Sequence, residues 1–133
     1  MNGVQTARRF VDAINDHDID ALYGLMAGTH RFTDSMGMEV SGREAMKLGW
    51  IGYFKMVPDY QIDIEETFDD ADTVVFLGRA SGTYTVSGTL KMENFWKTPV
   101  ALRAVVDDGK VTEWQVYADN EPIRQIMRRE GAL

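Results

Sequence analysis

Apolar residues near the N-terminus recur with the period of an amphipathic helix. Val4, Ala7, Phe10, Val11 and Ile14 follow the 3.6-residue spacing that places side chains on one helical face. The residues between them are mostly polar, so this pattern predicts a first helix that buries one side.

A polar break at residues 15–18 separates this helix from a shorter one. Asp18 belongs to the residue types that cap a helix N-terminus, and Gly28 to those that end a helix. The apolar side chains between them are Ile19, Leu22, Leu25 and Met26. We therefore expect a second helix from Asp18 to Gly28.

Alternation replaces the helical period at residues 29–34, which predicts a short strand with His30, Phe32 and Asp34 on one face. The segment Ser41-Gly42-Arg43-Glu44 has the capping-box pattern, so a third helix is expected there, running to about Met56 before Pro58.

Beyond Asp59 the pattern is dominated by strands. Tyr60, Ile62 and Ile64 alternate with polar residues, a turn is expected at 69–72, and β-rich runs follow at 73–86 and 90–106. Glycines inside these runs, such as Gly78, indicate bends or bulges. Asp108-Gly109 is a hairpin signal that leads into a strand at 111–118.

A last helix is predicted after Asp119 or Asn120, with Pro122 in its first turn. Helices first and a meander of strands later indicate an α+β fold in one domain, residues 1–133. We expect a curved, mostly antiparallel sheet wrapped around about three N-terminal helices, with a C-terminal helix and an apolar pocket inside.

Composition limits the function further. The chain has 133 residues, a formal net charge of −7 and ordinary globular proportions, with 44% hydrophobic and 26% charged residues. A net negative charge opposes binding to nucleic acid or to an anionic membrane. There is no cysteine and there are two histidines, so we expect no metal and no cofactor. With no apolar leader or membrane-spanning stretch, a cytoplasmic location is expected.

Four parts of the sequence together resemble the nuclear transport factor two-like superfamily, in particular its SnoaL-like and ketosteroid-isomerase-like members. The segments are 10–15 with 18–22, 32–34 with 42–45, 58–60 with 82–84, and 108–111 continuing through Trp114 to Tyr117. The resemblance implies a conical domain whose pocket opens at one end. It also implies a homodimer through the outer face of the sheet.

By this resemblance, Asp34 matches the aspartate with which the isomerases move a proton next to a carbonyl. The competing interpretation is that Asp34 caps the turn at 35–37 or pairs with Arg43. The positions that match the family's hydrogen-bond donors hold Phe10 and Leu102, which cannot donate, and this argues against authentic steroid isomerisation. Val105 and Val116 stand where the epoxide hydrolases of the superfamily would need an acid, and Arg103 is expected to face outward.

The candidate ligand is an apolar, cyclic or polyketide-like small molecule. The residues expected to contact it are Phe10, Ile14, His30, Phe32, Trp50, Tyr53, Phe54, Trp96, Leu102, Trp114, Val116 and Ala118. His30 and Asp34 lie about 13 Å apart along an extended strand, too far for a direct hydrogen bond.

Three functions remain open from the sequence. The first is a cofactor-independent isomerase or cyclase with Asp34 as base, in which Tyr53, His30 or a tryptophan nitrogen replaces the missing donors. The second is a non-catalytic module that binds a hydrophobic ligand. The third is a dimeric interaction domain whose pocket is filled by side chains.

Overall fold

A computed structural model describes residues 2–133 of the chain. In chain order its elements are α1 (Gly3–Asn15), α2 (Ile19–Leu25), β1 (Met26–Thr33), β2 (Glu39–Ser41), α3 (Arg43–Met56), β3 (Gln61–Asp70), β4 (Thr73–Thr83), β5 (Phe95–Asp107), β6 (Lys110–Ala118) and α4 (Glu121–Arg129). A single 3₁₀ turn, Met92–Asn94, precedes β5.

The six strands form one curved, unclosed sheet in the order β2-β1-β6-β5-β4-β3. Every neighbouring pair is antiparallel except β1 and β6, which run parallel. Helices α1 and α3 contact the same sheet that α4 contacts. The predicted α+β fold, a mostly antiparallel sheet around three N-terminal helices with a helix at the C-terminal end, is confirmed.

The first helix forms as its pattern predicts, since Phe10 and Ile14 are fully buried in the core. Its start carries a capping box that the sequence argument missed. The Asn2 side chain accepts a hydrogen bond from the Gln5 amide at 2.8 Å, and the Gln5 side chain accepts one from the Asn2 amide at 3.0 Å. These bonds satisfy two N–H groups that have no partner within the helix.

The capping box predicted at residues 41–44 does not form, although the helix begins there. Gly42 is the N-cap, with a φ of 93°, and it has no side chain to accept a bond. Glu44 instead accepts a hydrogen bond from the Tyr23 hydroxyl. The sequence has the residues of a capping box, but the Glu44 carboxylate that the box needs is bonded to Tyr23, which lies on another helix.

Two boundaries also differ from the prediction. The second helix ends at Leu25 rather than Gly28, and β1 begins directly at Met26. Met26 is fully buried, and an apolar residue at that position fits a helix and a strand equally well. The strands predicted at 73–86 and 90–106 are shorter at the end where they meet, because residues 84–94 form a connection with the 3₁₀ turn.

The bulge in the sheet and the last hairpin lie where the glycine and turn signals of the sequence predicted them. The register between β3 and β4 shifts between Ile64 and Glu66, directly after the pair Ile64–Gly78, so Gly78 marks a bulge as expected. Asp108 and Gly109 both have positive φ, 50° and 72°, and connect β5 to β6 as the predicted hairpin. Within residues 2–133, none of the helices is long and apolar enough to cross a membrane.

Candidate functional site

A cavity of about 370 Å³ lies between the inner face of the sheet and the helices α3 and α4. Its sheet wall is formed by alternate residues of β5 and β6, namely Trp96, Thr98, Val100, Trp114, Val116 and Ala118. Helix α3 contributes Met46, Trp50 and Tyr53, and α4 contributes Ile123, Arg124 and Met127. The volume lies within the range of small-molecule sites.

Aromatic rings build much of the lining and hold one another in place. Tyr53 meets Trp50 and Tyr60 edge to face, with ring centroids 6.3 and 4.9 Å apart. Tyr60 in turn lies 6.1 Å from Trp96, and Phe32 lies 6.5 Å from Trp50. Edge-to-face contacts of this kind are favourable, so these rings stabilise one another in the wall.

Asp34 lies on the lining directly after β1, half-buried. Its Oδ1 accepts hydrogen bonds from the backbone N–H groups of Met36 and Met38, at 2.9 and 3.0 Å. The turn that the alternative interpretation proposed is therefore present. Across residues 2–133 no ion pair joins Asp34 to Arg43, and Oδ2 has no protein hydrogen-bond partner. Oδ2 is the oxygen left for a ligand.

The structure brings seven of the candidate ligand residues together around this cavity. They lie on β1, α3, β5 and β6, and they are Phe32, Trp50, Tyr53, Trp96, Trp114, Val116 and Ala118. The described part of the chain places the other five outside the lining. These are Phe10, Ile14, His30, Phe54 and Leu102.

Packing beneath α1 explains most of these exceptions. The inner face of β5 is covered differently along its length. Trp96, Thr98 and Val100 line the cavity, whereas Leu102 lies farther along the strand, where α1 covers the sheet. Phe10 packs against Trp114 with ring centroids 4.9 Å apart and so fills the space between α1 and the sheet. Phe54 stacks on His17 at 4.1 Å, away from the cavity.

His30 is a fully buried histidine that does not reach the cavity. Burial lowers its pKa, and a hydrogen bond to the backbone of Val111 opposes that shift. In the neutral ring, Nδ1–H donates to the Val111 carbonyl oxygen at 2.7 Å. His30 therefore connects β1 to β6 and packs near Phe10, which is a structural role.

Several lining residues were missed by the sequence argument. Tyr60 was assigned only to a strand pattern, and Thr98 and Ser35 were not singled out. The contribution of α4 has a sequence signal, since Ile123 and Met127 are four residues apart and so share one face of the helix. The pattern gave no sign that this face would cover a cavity.

Hydrogen bonds join helix α4 to the rest of the fold at both ends. At its start, Asn120 Nδ2 donates to Ser35 Oγ at 2.5 Å, and Arg124 contacts Met36. At its other end, Glu130 accepts a hydrogen bond from Asn94 Nδ2 at 2.6 Å. The helix thus connects the turn that carries Asp34 to the segment before β5.

Burial keeps the two phenols of the lining neutral. Burial raises the pKa of Tyr53 well above its ordinary value, with a smaller effect from nearby Tyr60, and burial also raises the pKa of Tyr60. Both phenols therefore stay protonated near neutral pH. The chemistry available is one carboxylate, a few hydroxyls, the Asn120 amide and the Arg124 guanidinium in an otherwise apolar enclosure.

Comparison with known proteins supports a family assignment. The family model of the SnoaL-like domain matches residues 7–114. A comparison of the sequence with curated proteins finds no match.

Solved structures show the same fold at low sequence identity. A proposed SnoaL-like polyketide cyclase from Shewanella denitrificans has a TM-score of 0.82 at 16% identity, over 96% of this chain and 97% of that one. IdmH, a proposed polyketide cyclase from Streptomyces antibioticus, has a TM-score of 0.78 at 18% identity, over 96% and 99%.

A hypothetical protein of ketosteroid isomerase-like fold from Catenulispora acidiphila, solved with trimethylamine, has a TM-score of 0.72 at 18% identity, over 84% of this chain and 83% of that one. These likenesses establish the fold, and the family model covers most of the chain. The chain belongs to the SnoaL-like domain family.

Proposed function

We propose that the protein binds a small, largely apolar, ring-containing molecule of polyketide-like character in this cavity, and that Asp34 exchanges a proton with it. The observation that carries the proposal is a carboxylate on the lining of an apolar cavity, one of whose oxygens has no protein hydrogen-bond partner. Two similar structures carry the name polyketide cyclase, and a cyclase forms a product that contains a ring.

The proposed step needs no cofactor. Asp34 Oδ2 removes a proton from a carbon next to a carbonyl, so a C–H bond breaks as an O–H bond forms. The electron pair moves toward the carbonyl oxygen and gives an enolate. The same carboxyl group then returns the proton to another carbon or to oxygen, and the product is an isomer of the substrate.

The two hydrogen bonds to Oδ1 support this role by fixing the carboxylate. The backbone N–H groups of Met36 and Met38 both donate to Oδ1. Because these bonds fix the carboxylate, the turn also sets the orientation of Oδ2. Preorganised groups of this kind lose less freedom when a ligand binds. The same bonds would serve a purely binding role, in which Asp34 only orients the ligand.

The test uses 1-tetralone, a bicyclic ketone, with isothermal titration and thermal shift. Wild type and Asp34→Asn should both bind, since asparagine keeps the Oδ1 acceptor of the turn. Ala118→Phe should lose most of the binding, because the new ring enters the cavity. Asp12→Asn, the same charge change on an exposed face of α1, is the control.

Equal binding by Ala118→Phe and wild type would place the ligand elsewhere and overturn the cavity assignment. Binding without any proton exchange by the wild type would leave the non-catalytic module as the function.

A further inference from the structure

Two tyrosines stand next to each other on the cavity lining, apart from the turn that holds Asp34. Tyr53 is on α3, and Tyr60 comes immediately before β3. Their rings are perpendicular, at 88°, with centroids 4.9 Å apart. Both line the cavity, and Tyr60 is 7% exposed.

The other polar side chains of the lining already have protein partners. Ser35 accepts from Asn120 at 2.5 Å, Thr98 donates to the Asp119 carbonyl oxygen at 3.3 Å, and Asp34 holds its turn. In residues 2–133, the hydroxyls of Tyr53 and Tyr60 make no hydrogen bond to the protein. They are donors of this cavity that the fold leaves unused, and the Arg124 guanidinium, whose protein contact is the Met36 sulfur, is another.

The two hydroxyls also differ from the indole nitrogens nearby. Trp50 Nε1 and Trp96 Nε1 are completely enclosed and have no partner, so no ligand atom can reach them without a rearrangement. The tyrosine hydroxyls are not among the enclosed atoms, so they keep accessible surface. A buried tyrosine normally finds a partner for its hydroxyl, and leaving that group unpaired is costly.

Both groups are permanent donors in the working pH range. Burial, and for Tyr53 also the proximity of Tyr60, raises the pKa of each phenol. Neither phenol will carry the negative charge that would repel an electron-rich ligand oxygen.

We propose that the hydroxyls of Tyr53 and Tyr60 form the recognition site for an oxygen acceptor on the ligand, which makes the ligand class a ring-bearing ketone. The inference rests on the proposed function and sharpens it, because the cavity by itself selects only for apolar shape. In the proton exchange, the same hydroxyls would stabilise the oxygen on which enolate charge develops. They would replace the donors that are absent at Phe10 and Leu102.

The test compares 1-tetralone with tetralin, which has the same ring skeleton without the carbonyl oxygen. Wild type should bind the ketone several-fold to roughly tenfold tighter, as one or two neutral hydrogen bonds predict. Tyr53→Phe and Tyr60→Phe should each reduce that preference, and the double variant should abolish it while tetralin affinity stays the same. Tyr84→Phe, a buried tyrosine outside the cavity lining, is the matched control.

The infrared carbonyl stretch of bound 1-tetralone gives an independent readout. A hydrogen-bonded carbonyl absorbs at lower wavenumber, so the band should move up in the double variant and stay in place in Tyr84→Phe. Thermal unfolding of each variant shows whether it is folded.

The outcomes separate the two proposals. If wild type binds both compounds equally, and the phenylalanine variants change neither affinity nor carbonyl band, the tyrosine pair does not recognise the ligand and this inference fails alone. If wild type binds neither compound, the proposed function fails, and the inference fails as well because it rests on that function.

Discussion

At the scale of single residues, Asp34 combines a structural and a proposed chemical role in one carboxylate. Oδ1 is fixed by two backbone N–H groups of the turn after β1, and Oδ2 is left for a ligand. A substitution that removes the whole side chain would abolish the turn bonds and the proposed base together. Asp34→Asn separates them, because it keeps the acceptor that the turn uses and removes the base.

Gly78 offers a residue-scale test of how the sheet bends. A Cβ at this position would lie 1.9 Å from the backbone oxygen of Asp63 in the facing strand, an overlap that a rigid ladder cannot relieve. We expect Gly78→Ala to destabilise the protein by about 1–3 kcal/mol, as overpacking does. Urea unfolding measures the change.

The matched control is Gly52→Ala, an exposed helix position where no atom lies within 4 Å of the added Cβ. There the helix preference of alanine should stabilise by about 0.5–1 kcal/mol. Equal effects of the two substitutions would contradict the close approach of β3 and β4 at the bulge.

At the scale of elements, α4 is held by a buried apolar face and by hydrogen bonds at its two ends. Asn120 bonds to Ser35 at the start, and Glu130 bonds to Asn94 at the other end. Ile123 and Met127 face the cavity between them. The helix therefore forms part of the cavity wall.

The docking of α4 should depend on pH through Glu130. The hydrogen bond from Asn94, together with Lys91 and Arg129, lowers the pKa of Glu130 below its ordinary value of 4.5. A lowered folded pKa means that the stabilisation is complete above 4.5 and is lost as the pH falls through the folded value.

We therefore expect Glu130→Gln to reduce hydrogen-exchange protection of the α4 amides at neutral pH, with the difference from wild type disappearing in acid. Glu93→Gln, the same change on a neighbouring exposed residue, should leave α4 unaffected. A constant difference at all pH values would show that charge is not what holds this end of the helix.

At the scale of the whole molecule, the sequence predicted the fold well because its periods and turn signals are local. The change from helical to alternating spacing and the Asp108-Gly109 hairpin both appear as expected. What could not be predicted depends on contacts distant in sequence. Tyr23 takes the carboxylate of Glu44, and α1 covers the inner face of β5 beyond the cavity.

The candidate site also has parts that local sequence patterns predict and parts that depend on contacts distant in sequence. Strand alternation predicted that Trp114 and Val116 share a face, and the family resemblance implied that this face lines the cavity, where both residues and Trp96 lie. His30 shares a strand face with Asp34, yet it is buried beneath α1 and bonded to Val111, because the sheet is covered differently at its two ends. Tyr60 joins the cavity through its contacts with Tyr53 and Trp96, which no local pattern shows.

The outer face of the sheet carries the remaining whole-molecule prediction. Leu77, Ala101 and Tyr117 are register partners on three adjacent strands and lie opposite the buried face. We propose that this apolar row is a homodimer interface. Sedimentation should give about twice the monomer mass of 15.0 kDa, and Ala101→Glu should give the monomer.

Leu48→Glu is the control for that substitution, since Leu48 is 71% exposed on α3, away from the sheet face. A monomeric wild type, or an Ala101→Glu variant that remains dimeric, would contradict the proposed interface.

The central claim is that Asp34 exchanges a proton with a ligand inside the cavity. Nuclear magnetic resonance in deuterated buffer tests it most directly, by following the loss of hydrogen at the carbon next to the carbonyl of 1-tetralone. We expect wild type and Asp12→Asn to accelerate this exchange over buffer, and Asp34→Asn to be slower than wild type by roughly 10²–10⁴-fold while still binding the ketone. Equal exchange rates for wild type and Asp34→Asn would contradict the account.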